Sequence, residues 1–482
     1  MVNARPVGYV IGLLVAALGA TMAVPFLADV IAGSGHAQAF AVSMVVTVLS
    51  GGAIALSCAD RRSTGLTIQQ TFLLTTGVWV TLPLFGALPF MIGAPQASFT
   101  DAFFEAMSGM TTTGSTVFEE LGTLPPGTLL WRGMLQWFGG IGIIVVAMAF
   151  LPQLKVGGMQ IFRSESFDTF GKILPRAAQI AGSIAWIYLT LTALCFVGYS
   201  WAGLELLDAL VHAMTTIATG GFSTYDTSFT DLGAGAEYVA VLFMILASLP
   251  FVRYVQLVAG TAEPLYRDSQ IRAFLGLCAT VVAMLALWQF LVNTSDPELA
   301  LRKALFNGIS ILTGTGFASA DYMTWGAFPI TLFFLVGLIG GCAGSTCCSI
   351  KVFRFQLLFS AVATQIRRLH SPNGVFSIRY EGRSVSEDVL NSVMAFFVLF
   401  MLSLGVFASV LGLMGLDGIT AISGAATALA NVGPGLGPEI GPAGNFADLP
   451  DGAKWVLMFA MLTGRLELLS VYVLFTVGFW RR

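Results

Sequence analysis

Charged side chains are scarce. Asp, Glu, Lys and Arg make up 10% of the 482 residues, against about 25% in a soluble protein. That shortage excludes an ordinary soluble enzyme and a disordered chain. With 23 basic and 26 acidic residues the formal charge is −3, which excludes a nucleic-acid binder driven by net positive charge. There are three histidines, His36, His212 and His370, far apart and without HxxxH spacing. The six cysteines, Cys58, Cys195, Cys278, Cys342, Cys347 and Cys348, form no CxxC pair. Neither a disulfide framework nor a zinc site is expected. The apolar runs hold no buried Asp pair, no HExxH and no Ser/His arrangement, so an intramembrane enzyme is not expected. A GxxxxGK[ST] loop is absent, as is GxGxxG in a strand context, so nucleotide sensing needs a partner.

Apolar residues, by contrast, are abundant: 56% of the chain, with mean hydropathy +0.83. Long runs without period-2 alternation point to membrane helices rather than a barrel. Ten full spans are expected, near 7–33, 37–58, 68–92, 128–151, 176–200, 236–260, 271–293, 325–360, 388–413 and 453–480. The first resembles a signal peptide ending at Ala37-Gln38-Ala39. It is too long for an h-region of about 7–15 residues, and a second apolar run follows at once. It therefore reads as the first span.

Four apolar segments, 98–114, 203–221, 298–316 and 417–433, are too short to cross. They align without gaps as DAFFEAMSGMTTTG (101–114), DALVHAMTTIATGG (208–221), KALFNGISILTGTG (303–316) and TAISGAATALANVG (420–433). The second column is always Ala, the eighth Ser or Thr and the last Gly, at Gly114, Gly221, Gly316 and Gly433. Each segment lies between two spans. The unit is span, short helix, Gly loop, span, four times over. The fold class expected is an all-α membrane protein, with two N-terminal helices and four such repeats around one central pore. The divisions are 1–66 for the helix pair, then 67–160, 161–266, 267–383 and 384–482 for the repeats. Small residues that merely pack helices closely are the plainer reading of any one segment; four aligned segments argue against it.

The mechanics follow. A half-helix ending near mid-membrane carries about half a negative charge at its C-terminus, and four such ends favour a cation. Glycine lets carbonyls turn toward the axis, where they replace an alkali ion's hydration shell. The last four columns hold no carboxylate, so a cage for a divalent ion is not expected. Most basic residues fall on one side if both termini are cytoplasmic, with Arg132, Arg302, Lys303 and Lys454 the exceptions outside and Arg465 inside a span. Most acids fall on the other side, which suggests a vestibule that concentrates cations.

The loops TTTGS, ATGGF, TGTGF and NVGPG resemble the filter segments of the Trk/Ktr/HKT potassium transporter superfamily, most nearly the membrane subunit of the bacterial Trk system. The resemblance covers nearly the whole chain. It implies potassium uptake across the bacterial inner membrane, with potassium as substrate and no organic cofactor or structural metal. The filter it implies comprises Thr112, Thr113, Gly114, Thr219, Gly220, Gly221, Gly314, Thr315, Gly316, Asn431, Val432 and Gly433. Asn431-Val432-Gly433 departs from the Thr-containing pattern, which leaves open a less selective sodium- or rubidium-permeable pore, or an ion-coupled symporter of the same fold.

A run of Gly, Ser and Cys at 337–351 breaks the helix expected at 325–360. It resembles the family's intramembrane gating loop: Gly340, Gly341, Cys342, Ala343, Gly344, Ser345, Thr346, Cys347, Cys348 and Ser349, the last three standing where glycine is usual. Arg465, in Gly464-Arg465-Leu466-Glu467, resembles the family's pore arginine. A barrier to cations is expected of it, the alternative being a structural ion pair with Glu467. The polar segments 152–175 and 361–386 suit a cytoplasmic regulator. The resemblance implies a ring of nucleotide-binding RCK subunits and a homodimer in the lipid bilayer, with no nucleic-acid partner.

Overall fold

The computed structural model describes residues 3–59, 66–149, 157–159, 177–293 and 296–481. Among these the chain is almost wholly helical, apart from one antiparallel hairpin, Arg379–Tyr380 with Arg383–Ser384. Among the described residues, seven helices are long and apolar enough to cross a membrane: Arg5–Ala32, Ala37–Cys58, Ile68–Ile92, Pro126–Val146, Gly182–Trp201, Ser269–Asn293 and Glu387–Leu413. The protein is a multi-pass membrane protein. The first two of these helices pack on small residues: a methyl on Gly12 would stand 2.5 Å from the Ala55 backbone nitrogen.

Three of the ten expected spans are broken: two where the sequence reading had continuous helix, and one at the Gly/Ser/Cys run where it expected a break. Gly233–Ala247 and Phe251–Val258 meet at 88°, and Asp451–Arg465 meets Leu469–Phe475 at 107°. The third is two helices, Ala327–Gly337 and Val352–His370, joined through 338–351. Each break has a local cause. Pro250 cannot continue the first helix, and the Ser248 hydroxyl donates back to Met244 O at 2.6 Å. At the second break Glu467 and Leu468 both sit in the left-handed region, at φ 62° and 51°. The third break is the Gly/Ser/Cys run itself.

The four half-length segments are the short helices Phe99–Met110, Leu206–Ile217, Pro297–Leu312 and Gly418–Ala430. Ser98, Asp296 and Asp417 cap the first, third and fourth by accepting backbone N–H groups. Glu205 precedes the second without a side-chain cap.

Ion pairs staple the short helices to neighbouring repeats. Lys454, at the start of the last span, bonds Asp101 in the first short helix at 2.6 Å. Glu237, at the same place in the second repeat, bonds Lys303 and Arg302 of the third short helix, each at 2.8 Å. Asp101 and Lys303 are the same alignment column, so the two staples are one contact with its charges exchanged. Arg132 bonds buried Glu105 at 2.8 Å and Ser223 O at 2.8 Å, joining the first repeat to the second. All four basic residues that break the positive-inside pattern are therefore neutralised by carboxylates. The sequence pattern shows the exceptions but not their partners.

Candidate functional site: four loops in a ring above a broken span

Each short helix ends in the same turn. The column-twelve residue takes a left-handed φ: 50° at Thr112, 50° at Thr219, 72° at Gly314 and 53° at Asn431. The next N–H bonds back to column eight: Thr113 to Ser108 O, Gly220 to Thr215 O and Thr315 to Ser310 O at 2.9 Å, Val432 to Thr427 O at 3.0 Å. The column-twelve N–H groups bond to column nine at 2.9 to 3.3 Å. This is a Schellman cap, four times. Three of its left-handed residues are not glycine, a strain of about 1–2 kcal/mol each that only a fixed context maintains.

The last glycine of each loop is again left-handed, at φ 88°, 80°, 82° and 107° for Gly114, Gly221, Gly316 and Gly433. Each also abuts the next loop. A methyl on Gly114 would stand 2.2 Å from Gly220 O, one on Gly221 2.0 Å from Thr315 O, and one on Gly316 1.9 Å from Val432 O. A methyl on Gly433 would stand 2.8 Å from Thr113 O, which closes the circuit. All four glycines line one cavity of about 150 Å³. The loops that the sequence aligned thus form one ring, in chain order, with no room for a side chain at any of the four glycines. The fourth junction is the loosest.

Beyond the ring a second cavity of about 520 Å³ adjoins the first and carries Glu119, Glu439 and Asp448. Asp226 lines the inner cavity. Arg132 lines it too, but is committed to Glu105. The net charge lining the two cavities is negative. The nearby Tyr225 hydroxyl donates to the Asp208 carboxylate at 2.7 Å, which pushes its pKa up to about 12.

On the opposite face of the ring lies 338–351. The segment returns on itself through a bridge between Ile339 and Ile350. Its far end touches the loops: Cys348 Sγ is 3.6 Å from Thr112 Oγ1, and Ser349 N–H donates to Ala430 O at 3.0 Å. Ser349 sits at φ 59°, where glycine would be unstrained. Its hydroxyl lies 3.0 Å from Gly337 O and 2.9 Å from Ala430 O, within reach of both carbonyls. The bend in the second repeat holds the other end. Cys342 N–H donates to Ser248 O at 3.0 Å, and Phe251 N–H donates to Gly344 O at 3.0 Å.

Arg465 closes the group. It is buried, and donates to Gly139 O at 2.9 Å, to Thr346 O at 3.3 Å and to Cys348 Sγ. No carboxylate is among these partners. The alternative pairing with Glu467 is corrected: Glu467 bonds Arg354, which also donates to Gly157 O and stands 3.8 Å over the Phe396 ring. Lys351 donates to Cys347 O. Arg465, Lys351, Cys347, Cys348 and Glu467 line a cavity of about 20 Å³, room for about one water. The passage is wide and acidic on one side of the ring, and nearly filled and cation-rich on the other.

The structure brings the two groups of residues together, the four loops in a ring and 338–351 with Arg465 against one face of it. The sequence reading did not single out Arg354, Lys351 or Ser248, nor Gln136, whose carboxamide donates to Gly220 O at 2.6 Å and accepts from Phe222 N–H at 3.0 Å. The first two are buried cations beside the Gly/Ser/Cys run, a signal available in the sequence. Ser248 and Gln136 carry none. The polar segment 361–386 is the end of Val352–His370 and the hairpin, with Arg367, Arg368, Arg379 and Arg383 exposed. The segment 152–175 lies outside the described residues except for 157–159.

A multi-spanning helical protein with four re-entrant loops closed around one axis belongs to the class of membrane ion-translocating proteins, not enzymes. Comparison with known proteins agrees. The TrkH family of cation transport proteins matches residues 36–479, and the chain belongs to that family. It is 44% identical to the Trk system potassium uptake protein TrkI of Halomonas elongata, over 99% of this chain and 97% of that one. To the Trk system potassium uptake protein TrkH of Salmonella typhimurium it is 37% identical, over 99% of each. The crystal structure of the potassium transporter TrkH from Vibrio parahaemolyticus matches with a TM-score of 0.91 at 34% identity, over 99% of each chain.

Proposed function

We propose that this protein takes up potassium across the bacterial inner membrane through the ring of loops, and that 340–349 with Arg465 forms its gate. The observation that carries this reading is the ring itself: four glycines, each against the next loop's carbonyl, around one cavity. Carbonyl-rich loops at the C-terminal ends of four helices offer partial negative charge and oxygen ligands, which suit a dehydrated alkali cation. Column twelve to fourteen of each loop supplies the filter: Thr112 to Gly114, Thr219 to Gly221, Gly314 to Gly316 and Asn431 to Gly433. Below it, Arg465 and Lys351 line a cavity of about 20 Å³, a narrow and positively charged space that opposes a cation, so we read the conformation as closed. The acidic cavities then face outward and both termini are cytoplasmic. The exposed arginines of 361–386 form the surface for a cytoplasmic regulatory subunit of the RCK type, acting on a homodimer.

The looser fourth junction favours a second reading, a filter that also passes sodium. One assay tests both. Purified protein in liposomes, loaded with potassium, takes up rubidium-86, with external potassium or sodium as competitor. Block by potassium alone supports selective uptake, and equal block by both supports the second reading. Arg465→Ala runs in parallel to open a closed gate. Silence from both, in well-inserted protein, overturns the pore.

A further inference from the structure

Column thirteen of the four loops reads Thr113, Gly220, Thr315 and Val432. Three loops carry a β-branched side chain there, which stiffens the backbone; the second carries none. Gly220 does not need to be glycine for its own conformation, since it is not among the left-handed residues. It needs to be glycine because of one neighbour. A methyl on Gly220 would stand 2.5 Å from Gln136 Cδ, 2.5 Å from its Oε1 and 2.9 Å from its Nε2, and these are its three nearest atoms.

Gln136 lies on Pro126–Ala149 in the first repeat and is fully buried. Its Nε2 donates to Gly220 O at 2.6 Å, and its Oε1 accepts from Phe222 N–H at 3.0 Å. One carboxamide thus grips the second loop on both sides of Gly221, the ring glycine. It also engages the carbonyl that abuts Gly114 in the first loop.

We propose that Gln136 is a positioning residue that determines ion selectivity: its carboxamide, supplied by the neighbouring repeat, replaces the side chain that the second loop lacks and fixes the Gly220 carbonyl. The proposal rests on the reading of these loops as a filter. Sodium is the smaller ion, and a loop free to close in around it loses discrimination. Hydrogen bonds that fix the Gly220 carbonyl and the Phe222 N–H on either side of Gly221 oppose that collapse.

The test is the rubidium-86 assay with Gln136→Leu, a near-isostere without either hydrogen bond, and with the pair Gln136→Ala plus Gly220→Thr, which moves the supporting side chain onto the loop. Wild type is measured first. If it shows no alkali-ion uptake, alone or beside Arg465→Ala, the filter reading fails and not this inference alone. Gln136→Leu is expected to keep rubidium uptake but lose at least about fivefold in the ratio of potassium to sodium block, the factor of roughly one net hydrogen bond. The double variant is expected to recover most of that ratio, which a purely structural role for Gln136 does not provide. An unchanged ratio in Gln136→Leu overturns the proposal. So does a double variant that folds and remains unselective. If Gln136→Leu does not fold, the double variant alone decides.

Discussion

Substituting Gly221 by alanine tests the ring most directly. The added methyl would stand 2.0 Å from Thr315 O, whereas carbon and oxygen rest at about 3.3 Å even in a close contact. One of the two loops must therefore yield by more than about 1 Å. The φ of 80° at Gly221 adds about 1–2 kcal/mol for any L-residue, and forced overpacking adds about 1–3 kcal/mol. The expected loss is about 2–5 kcal/mol, and the displaced loop belongs to the ring. Gly276 is the control. It is exposed in the middle of Ser269–Trp288 with nothing within 4 Å of a methyl, so alanine there gains about 0.5–1 kcal/mol of helix propensity. Thermal unfolding in detergent and rubidium-86 uptake per folded molecule are measured for both. Gly221→Ala is expected to melt well below wild type and to lose uptake or selectivity, while Gly276→Ala retains both. A Gly221→Ala protein indistinguishable from wild type would refute the close approach and the ring drawn from it.

The other expectations use the same assays. Arg465→Ala removes a buried cation held by Gly139 O, Thr346 O and Cys348 Sγ, so flux is expected to rise; equal or lower flux from well-folded protein contradicts a barrier role. Glu467→Gln strands buried Arg354 and is expected to cost about 3–5 kcal/mol, read as a lowered melting temperature; a shift no larger than that of a surface substitution removes the pair from the stability argument. Asp101→Lys with Lys454→Asp exchanges the first staple into the sense of Glu237–Lys303. The double variant is expected to be more stable than either single one, and additive losses would show that the two charges do not interact.

The helices and the loops were legible because both rest on patterns of short range. Apolar length gives the spans. The alternation of Ala, Ser/Thr and Gly gives the short helices, because those columns meet the cap and the ring. The breaks were harder. At Pro250 the sequence offers a signal, but an apolar run passes straight through it. At Glu467-Leu468 there is no signal, since both left-handed residues are of ordinary type. The pairing of Glu467 with Arg354 rather than Arg465 joins positions 113 residues apart. It depends on where 338–351 returns, which only the assembled fold sets. Gln136 was illegible for the same reason: its partner is a glycine in the next repeat.

The ring also explains why the four repeats diverge where they do. Column fourteen faces a neighbouring carbonyl in every repeat and tolerates no side chain, so it is Gly four times. Column twelve must only accept a left-handed φ, and Thr, Thr, Gly and Asn all appear. Column thirteen carries a side chain in three loops, and in the second Gln136 lies against Gly220 instead. Below the ring the described residues form no such circuit. The second spans there are free to differ, and they do: one bends at Pro250 and receives Cys342, one opens into 338–351, and one carries Arg465 into the space between. A homotetramer would have to repeat any such device four times around the axis. A single chain places one loop, one anchor and one arginine, so the asymmetry that loosens the fourth junction of the ring is the same property that lets unlike parts meet beneath it.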